Sequence, residues 1–339
     1  MAVFDVRDLE VPIVGAPMAG GPSTPQLAAA VTDVGGLGFL AGALLSADKL
    51  ADDIATARSL TTGPLAVNLF VPQPDAGKPA EIAAYADELG ELARHFGVQL
   101  GEPRYTDDDY AQKVEVLLDT KPEVVSFTFG CAHAGDIKRF ADAGVATFGT
   151  VTTRVEAEIA VARGVDVLVA QGPGAGGHRG TFDPLARPSS DSLDTLVVSA
   201  CAVSDVVVAA GGISTPGAVA AALDLGAVAV QVGTALLLSD EAGTNPVSRA
   251  ALTDPQFTKT AVTRAFSGRY ARGLRNRFMQ NHEPTAPLAY PQIHYLTGPL
   301  RRAAVAAGDP HATNHWAGTG FKHIGPGRAA GIVAALAGR

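Results

Sequence analysis

The sequence predicts an α/β chain folded as a (β/α)8 TIM barrel, with helical lid insertions after strands 3 and 8. Three observations carry this expectation. Short apolar, β-branched runs recur along the first 239 of 339 residues, and Ala-rich segments of helical period lie between them. Several of those segments open on Ser or Thr and close on Gly, which is helix start and stop chemistry. No strand alternates apolar with polar residues, so helices should cover the sheet. A doubly wound open sheet would use the same units, but eight evenly spaced strands fit closure better.

Taken in order, the strands are "PIVGAP", "GLGFLAG", "PLAVNLF", "EVVSFTFG", "VATFGTV", "VDVLVAQG", "DVVVAAGGI" and "AVAVQVGTALL". The helices between them include "TPQLAAAVTD", "SADKLADDIATARSL", "GDIKRFADAG", "TRVEAEIAVARG" and "TPGAVAAALDLG". Two intervals are too long for plain crossovers. Residues 71–123 leave room for about two extra helices, and residues 240–310 read as a mostly helical insert with a Pro-rich middle. Three parts are therefore expected: a barrel over 1–239, a lid or substrate segment over 240–310, and a tail, 311–339, packing back on the barrel. Inserts at strand ends usually wall an active site.

Composition limits the function. The chain is 47% hydrophobic and 18% charged, the balance of a compact enzyme, and its net charge of -8 argues against nucleic acid or anionic membrane as partner. Two cysteines, Cys131 and Cys201, give neither a disulfide framework nor zinc spacing, so a reducing cytoplasm is expected. The start, "MAVFDVRDLEVPIVGAP", lacks signal-peptide character, and "VTDVGGLGFLAGALL" is too short to span a bilayer. Whether the chain forms a homo-oligomer is left open.

In a barrel, the C-terminal ends of the strands face one cavity. They supply Pro17 and Met18, Gly42, Asn68, Cys131 with His133, Thr150, and the glycine-rich "QGPGAGGHRG" from Gln171 to Gly180. Such a loop could be a wide turn, a phosphate cradle, or a bed for a flat ligand. No Walker or dinucleotide pattern is present. The last two strands end in Gly211-Gly212 and in Gln231-Val232-Gly233-Thr234, where barrels commonly bind a phosphate on backbone N–H groups. A phosphate held there needs a body that reaches across the mouth. The amides of Asn68 and Gln171 suit the pyrimidine edge of a flavin, and Gly174, Gly176 and Gly177 let backbone approach its ring. His178 then stands beside the ring as a proton carrier.

Together, "PIVGAPMAGG", "VNLFVP", "SFTFG", "QG…AGGHRG", "AAGGI", "QVGTALL", "FSGRYARGLRNRFM" and "WAGTGF" resemble the nitronate monooxygenases, formerly called 2-nitropropane dioxygenases, over essentially the whole chain. The resemblance implies an FMN-dependent barrel enzyme that oxidises alkyl nitronates with O2 to a carbonyl compound and nitrite, without a metal. By that similarity Asn68, Gln171, Gly176, Gly212 and Gln231 through Thr234 hold FMN, and His178 is the base that admits nitroalkanes. Two positions depart from the family pattern: Gly174 replaces an acidic residue, and Thr319 replaces a Gln. Barrels of the same superfamily also serve NADH:quinone reductases and enoyl-thioester reductases, and a flavin-binding sensor or carrier is the non-enzyme alternative.

Other residues carry less. Cys131 and His133 have no third orienting group for a nucleophilic dyad. His133, Tyr290 and Tyr295 are assigned to the substrate pocket. His282, His294, His311, His315 and His323 lack paired ligand spacing and read as surface or packing residues.

Overall fold

The computed structural model describes residues 4–339. Eight parallel strands form the barrel: β1 (Ile13–Gly15), β2 (Gly38–Ala41), β3 (Leu65–Phe70), β4 (Val124–Thr128), β5 (Ala146–Val151), β6 (Val167–Gln171), β8 (Val207–Ala210) and β9 (Ala229–Val232). A short strand, β7 (Gly177–His178), lies outside this sheet. Around the ring the order is β1-β9-β8-β6-β5-β4-β3-β2. The last gap is closed just ahead of β2, where Gly15 N donates to Leu37 O (2.9 Å) and Leu37 N donates to Ile13 O (3.1 Å).

Strand periodicity sorts the side chains into two cores. One set fills the barrel interior, with Val14, Phe39, Ala66, Val124, Phe148, Val169 and Val208 fully buried together. Val6, from the first turn, joins it. The alternate set, such as Leu40, Val67, Val125, Leu168 and Ala209, packs under the surrounding helices. Two residues beyond the interior apolar layer, the same period brings Asn68, Ser126, Thr150, Gln171 and Gln231 to the C-terminal mouth. A polar floor thus tops an apolar plug.

The helices start as the Ser/Thr pattern predicts. Thr24 Oγ1 accepts from Leu27 N (3.0 Å), Ser46 Oγ from Lys49 N (3.2 Å) and Thr215 Oγ1 from Ala218 N (3.2 Å). Between β3 and β4 lie two helices in all. Tyr110–Thr120 puts Val114 and Leu117 into the main core and acts as the third barrel helix. Pro79–His95 is the one true extra, and its Ile82, Tyr85 and Leu89 belong to a separate lid core.

After β9 the chain forms helix Pro246–Thr253, the hairpin β10 (Thr260–Thr263) and β11 (Ala271–Leu274), and helices Arg277–His282 and Gln292–Ala306. Phe266, Phe278, Ile293, Leu296 and Leu300 complete the lid core. The hairpin departs from the mostly helical reading of this insert. Its second strand, β11, pairs with β7, with Ala271 opposite His178 and Arg272 opposite Gly177, so the lid is joined to the loop after β6. Helix Ala329–Leu336 then closes the barrel's outer ring next to Pro25–Thr32. Among the described residues, no helix is long and apolar enough to cross a membrane, and no group of His, Cys, Asp and Glu could hold a metal ion.

Candidate active site

A cavity of about 630 Å³ opens between the barrel mouth and the lid. Pro17 and Met18 line it from the loop after β1, which is held by Met18 N donating to Ser23 Oγ (2.8 Å). From the loops after β8 and β9, Gly211, Gly212, Gly233 and Thr234 line it too. Gly211 and Gly212 take φ of 108° and 81°, conformations that glycine adopts without strain. Val232 turns the other way. Its side chain is buried under the helices, and its carbonyl accepts from Ala16 N (2.8 Å).

The two amides expected at a flavin edge differ in their freedom. Asn68 Nδ2 donates to Ser126 Oγ (2.8 Å) and Thr128 Oγ1 (3.1 Å), and its Oδ1 has no partner among the described residues. Gln171 is engaged at both ends: Nε2 donates to His178 O (3.1 Å), and Oε1 accepts from Gly180 N (2.8 Å). Gln231, from β9, lines the same cavity.

The glycine loop has distinct reasons for its glycines. At Gly176 a Cβ would lie 2.5 Å from Gly318 N, so close packing against the C-terminal segment demands glycine there. Gly177 takes φ of 72°, and a Cβ there would meet nothing, leaving backbone bare toward the cavity.

His178 projects from this loop into the cavity, against Tyr290, Trp316 and Phe129 at 5.5, 5.6 and 5.7 Å between ring centroids. Its Nε2 lies 2.8 Å from Ser267 Oγ, which is also 3.2 Å from Arg269 O. Because a carbonyl can only accept, the serine proton satisfies Arg269 O when Nε2 donates to the serine. In that tautomer Nδ1 is bare and basic. Burial, followed by the charges of Arg269 and Arg301, pushes His178 down to about 3, so the free ring is neutral at working pH.

The other assigned residues are spread out. Tyr290 packs on His178 and is half-buried beside it, whereas Tyr295 lies in a small adjoining pocket with it and stacks beneath Arg104. His133 is exposed at the start of helix Ala134–Asp142 and does not reach the cavity. Sequence reasoning missed Ser267, Trp316, Arg301 and His294, all of which line the cavity. The "FSGR" and "WAG" motifs held two of them but gave no hint of their facing His178.

The family model for nitronate monooxygenase matches residues 6–337. The chain belongs to the nitronate monooxygenase family. It is 39% identical over 322 residues to the nitronate monooxygenase of Pseudomonas aeruginosa, covering 92% of this chain and 91% of that one. It is 36% identical over 319 residues to the probable nitronate monooxygenase of Bacillus subtilis, covering 93% and 92%. Among solved structures it is similar to the nitroalkane oxidase of Streptomyces ansochromogenes, with TM-score 0.94 and 45% identity over 98% of this chain and 96% of that one. Membership makes this enzyme a flavin-dependent oxidoreductase of the nitronate monooxygenase type.

Proposed function

We propose that the enzyme uses FMN to oxidise alkyl nitronates with O2 to carbonyl compounds and nitrite, and that His178 lets it start from neutral nitroalkanes. The FMN assignment rests on the fit of the donor set. No carbonyl or side chain accepts from the N–H groups of Gly211, Gly212 and Gly233 among the described residues, and all three line the cavity together with Thr234. A single phosphate suits that cluster. No second dinucleotide-binding unit accompanies it. Asn68 Oδ1 and the Gln231 amide face the stretch that a flavin ring would span. When bound, FMN supplies the electron transfer to O2.

The chain's own residues do the rest. His178 Nδ1 accepts the proton from the carbon that bears the nitro group, while Nε2–H stays tied to Ser267. A free imidazolium is disfavoured here by burial and by two guanidinium groups. It is tolerable beside an anion, and the nitronate is that anion. The lid aromatics exclude water from the proton transfer. The observation that carries the reading is His178 itself: a half-buried, neutral imidazole with one nitrogen fixed and one free, set in a cavity lined by the phosphate-type loops.

The decisive assay uses the purified, flavin-loaded enzyme with an alkyl nitronate and no nicotinamide. Nitrite and carbonyl product should form together as O2 is consumed. Rapid anaerobic bleaching of the flavin by NADH, without nitrite release from any nitronate, would move the enzyme to the quinone or enoyl-thioester reductases. Yellow colour without turnover in either assay would leave a flavin carrier.

A further inference from the structure

Helix Gln292–Ala306 turns both His294 and Arg301 toward the cavity that His178 lines. Arg301 is held firmly. Its Nε donates to Thr297 Oγ1 (3.0 Å), Nη1 to Asn314 Oδ1 (3.1 Å) and Nη2 to His294 O (2.9 Å). Every one of these acceptors is neutral. The same Nη2 lies 3.3 Å from His294 Nδ1.

A guanidinium can only donate, so His294 Nδ1 is the acceptor, and the proton of the neutral ring sits on Nε2. Burial first, and Arg301 next, hold the ring neutral. His294 Nε2–H has no hydrogen-bond partner among the described residues, and a cation stands behind the ring. Ring packing against Tyr290 and Tyr295 explains where the imidazole lies, but it calls for neither the cation nor a donor left free.

We propose that His294 Nε2–H, polarised by Arg301, binds the oxygens of the substrate's nitro group opposite His178. The inference rests on the reading of His178 as the base. As the C–H bond breaks, its proton goes to His178 Nδ1, its electron pair forms the C=N bond, and the negative charge comes to rest on the nitro oxygens. A fixed donor aimed at that charge is worth more in the transition state than in the neutral substrate.

Butanoate tests this, because its carboxylate has the shape of a nitro group and the charge of a nitronate but loses no proton. His294→Phe should raise the inhibition constant of butanoate, and the KM of propyl-1-nitronate, by about 10- to 100-fold, the worth of a hydrogen bond to a charged group. His294→Gln, which keeps an N–H donor, should stay within about fivefold of the wild type. Arg301→Met should weaken butanoate by about tenfold with His294 still present. A butanoate constant within twofold of wild type in flavin-loaded His294→Phe overturns the proposal. If that variant does not hold flavin, an unchanged constant in Arg301→Met overturns it instead. Butanoate binding involves no proton transfer, so a failed base assignment at His178 would leave this result standing and readable on its own.

Discussion

A Cβ atom on Gly174 would lie 2.7 Å from Thr319 Oγ1, and Thr319 N donates to Gly174 O at 2.9 Å. The two positions where the chain departs from the family's pattern are therefore one contact. With no side chain at 174, the Thr319 hydroxyl fills the gap and also abuts Gly212, whose own Cβ would come within 2.8 Å of it. The small pair holds the glycine loop, the C-terminal segment and the phosphate-type loop together.

This contact predicts a coupled pair. Gly174 does not take positive φ, so Gly174→Ala is opposed by the Thr319 hydroxyl rather than by backbone strain. Overpacking of this kind costs ~1–3 kcal/mol. Gly174→Ala should lower the denaturation midpoint and loosen flavin, and Thr319→Gly added to it should restore much of the loss. Additive effects in the double-mutant cycle would show that the two sites do not share this space.

The barrel was legible because each strand carries its own apolar run and each helix its own cap, so local chemistry and final fold agree. The glycine turns that end β8 and β9 were legible for the same reason. The lid side of the site was not. His178 meets Ser267 across 89 positions of sequence, through a hairpin whose strands, "TAVT" and "ARGL", carry too little apolar content to announce themselves. His294 looked like any surface histidine, because only the packing of its helix on the lid core turns it inward. Gln171 was read as a flavin contact from its residue type, and its two bonds to the loop backbone could not be foreseen from spacing.

Those two bonds make a second prediction. Gln171 bridges the backbone from His178 to Gly180 from the barrel side, while Ala271 pairs with His178 from the lid side. Gln171→Met keeps the bulk and removes both bonds. Amide exchange at Arg179, Gly180 and Thr181 should accelerate in the flavin-loaded enzyme, and turnover of neutral nitroalkane should fall about tenfold more than that of nitronate. Unchanged exchange would mean that strand pairing alone holds the loop.

Acid stability gives a third. Histidine in an unfolded chain titrates near 6.5. In the folded protein burial holds His178 and His294 at about 3, and His315 at about 4. Between roughly pH 4 and 6.5 the unfolded chain therefore binds more protons than the native one, and stability rises with pH across that window. It should be flat above pH 7 and fall steadily from 6.5 toward 4. His315 is fixed by Ser248 Oγ at Nδ1 and Pro310 O at Nε2, both 2.8 Å away. His315→Asn should lower stability at neutral pH yet flatten the acid slope by about 1 kcal/mol per pH unit at most. Denaturant titrations at four pH values would measure both, and an unaltered slope would remove His315 from the set.

The last prediction concerns His178 directly. A neutral nitroalkane must lose a carbon-bound proton before it can give up electrons, whereas a pre-formed nitronate has already lost it. His178→Asn keeps a polar side chain of similar reach in the loop but offers no basic nitrogen. It should abolish measurable activity on nitroethane and largely spare activity on ethyl nitronate, with the flavin spectrum unchanged. Positioned general bases typically contribute ~10²–10⁴-fold, so the gap between substrates should be of that order. The pH profile supplies an independent check. Because burial holds the free ring at about 3, no activity limb near pH 6.5 should come from His178 in the wild type, and the variant should remove none there. Equal losses on both substrates would show that His178 acts by placing the substrate, and that the proton leaves to another group.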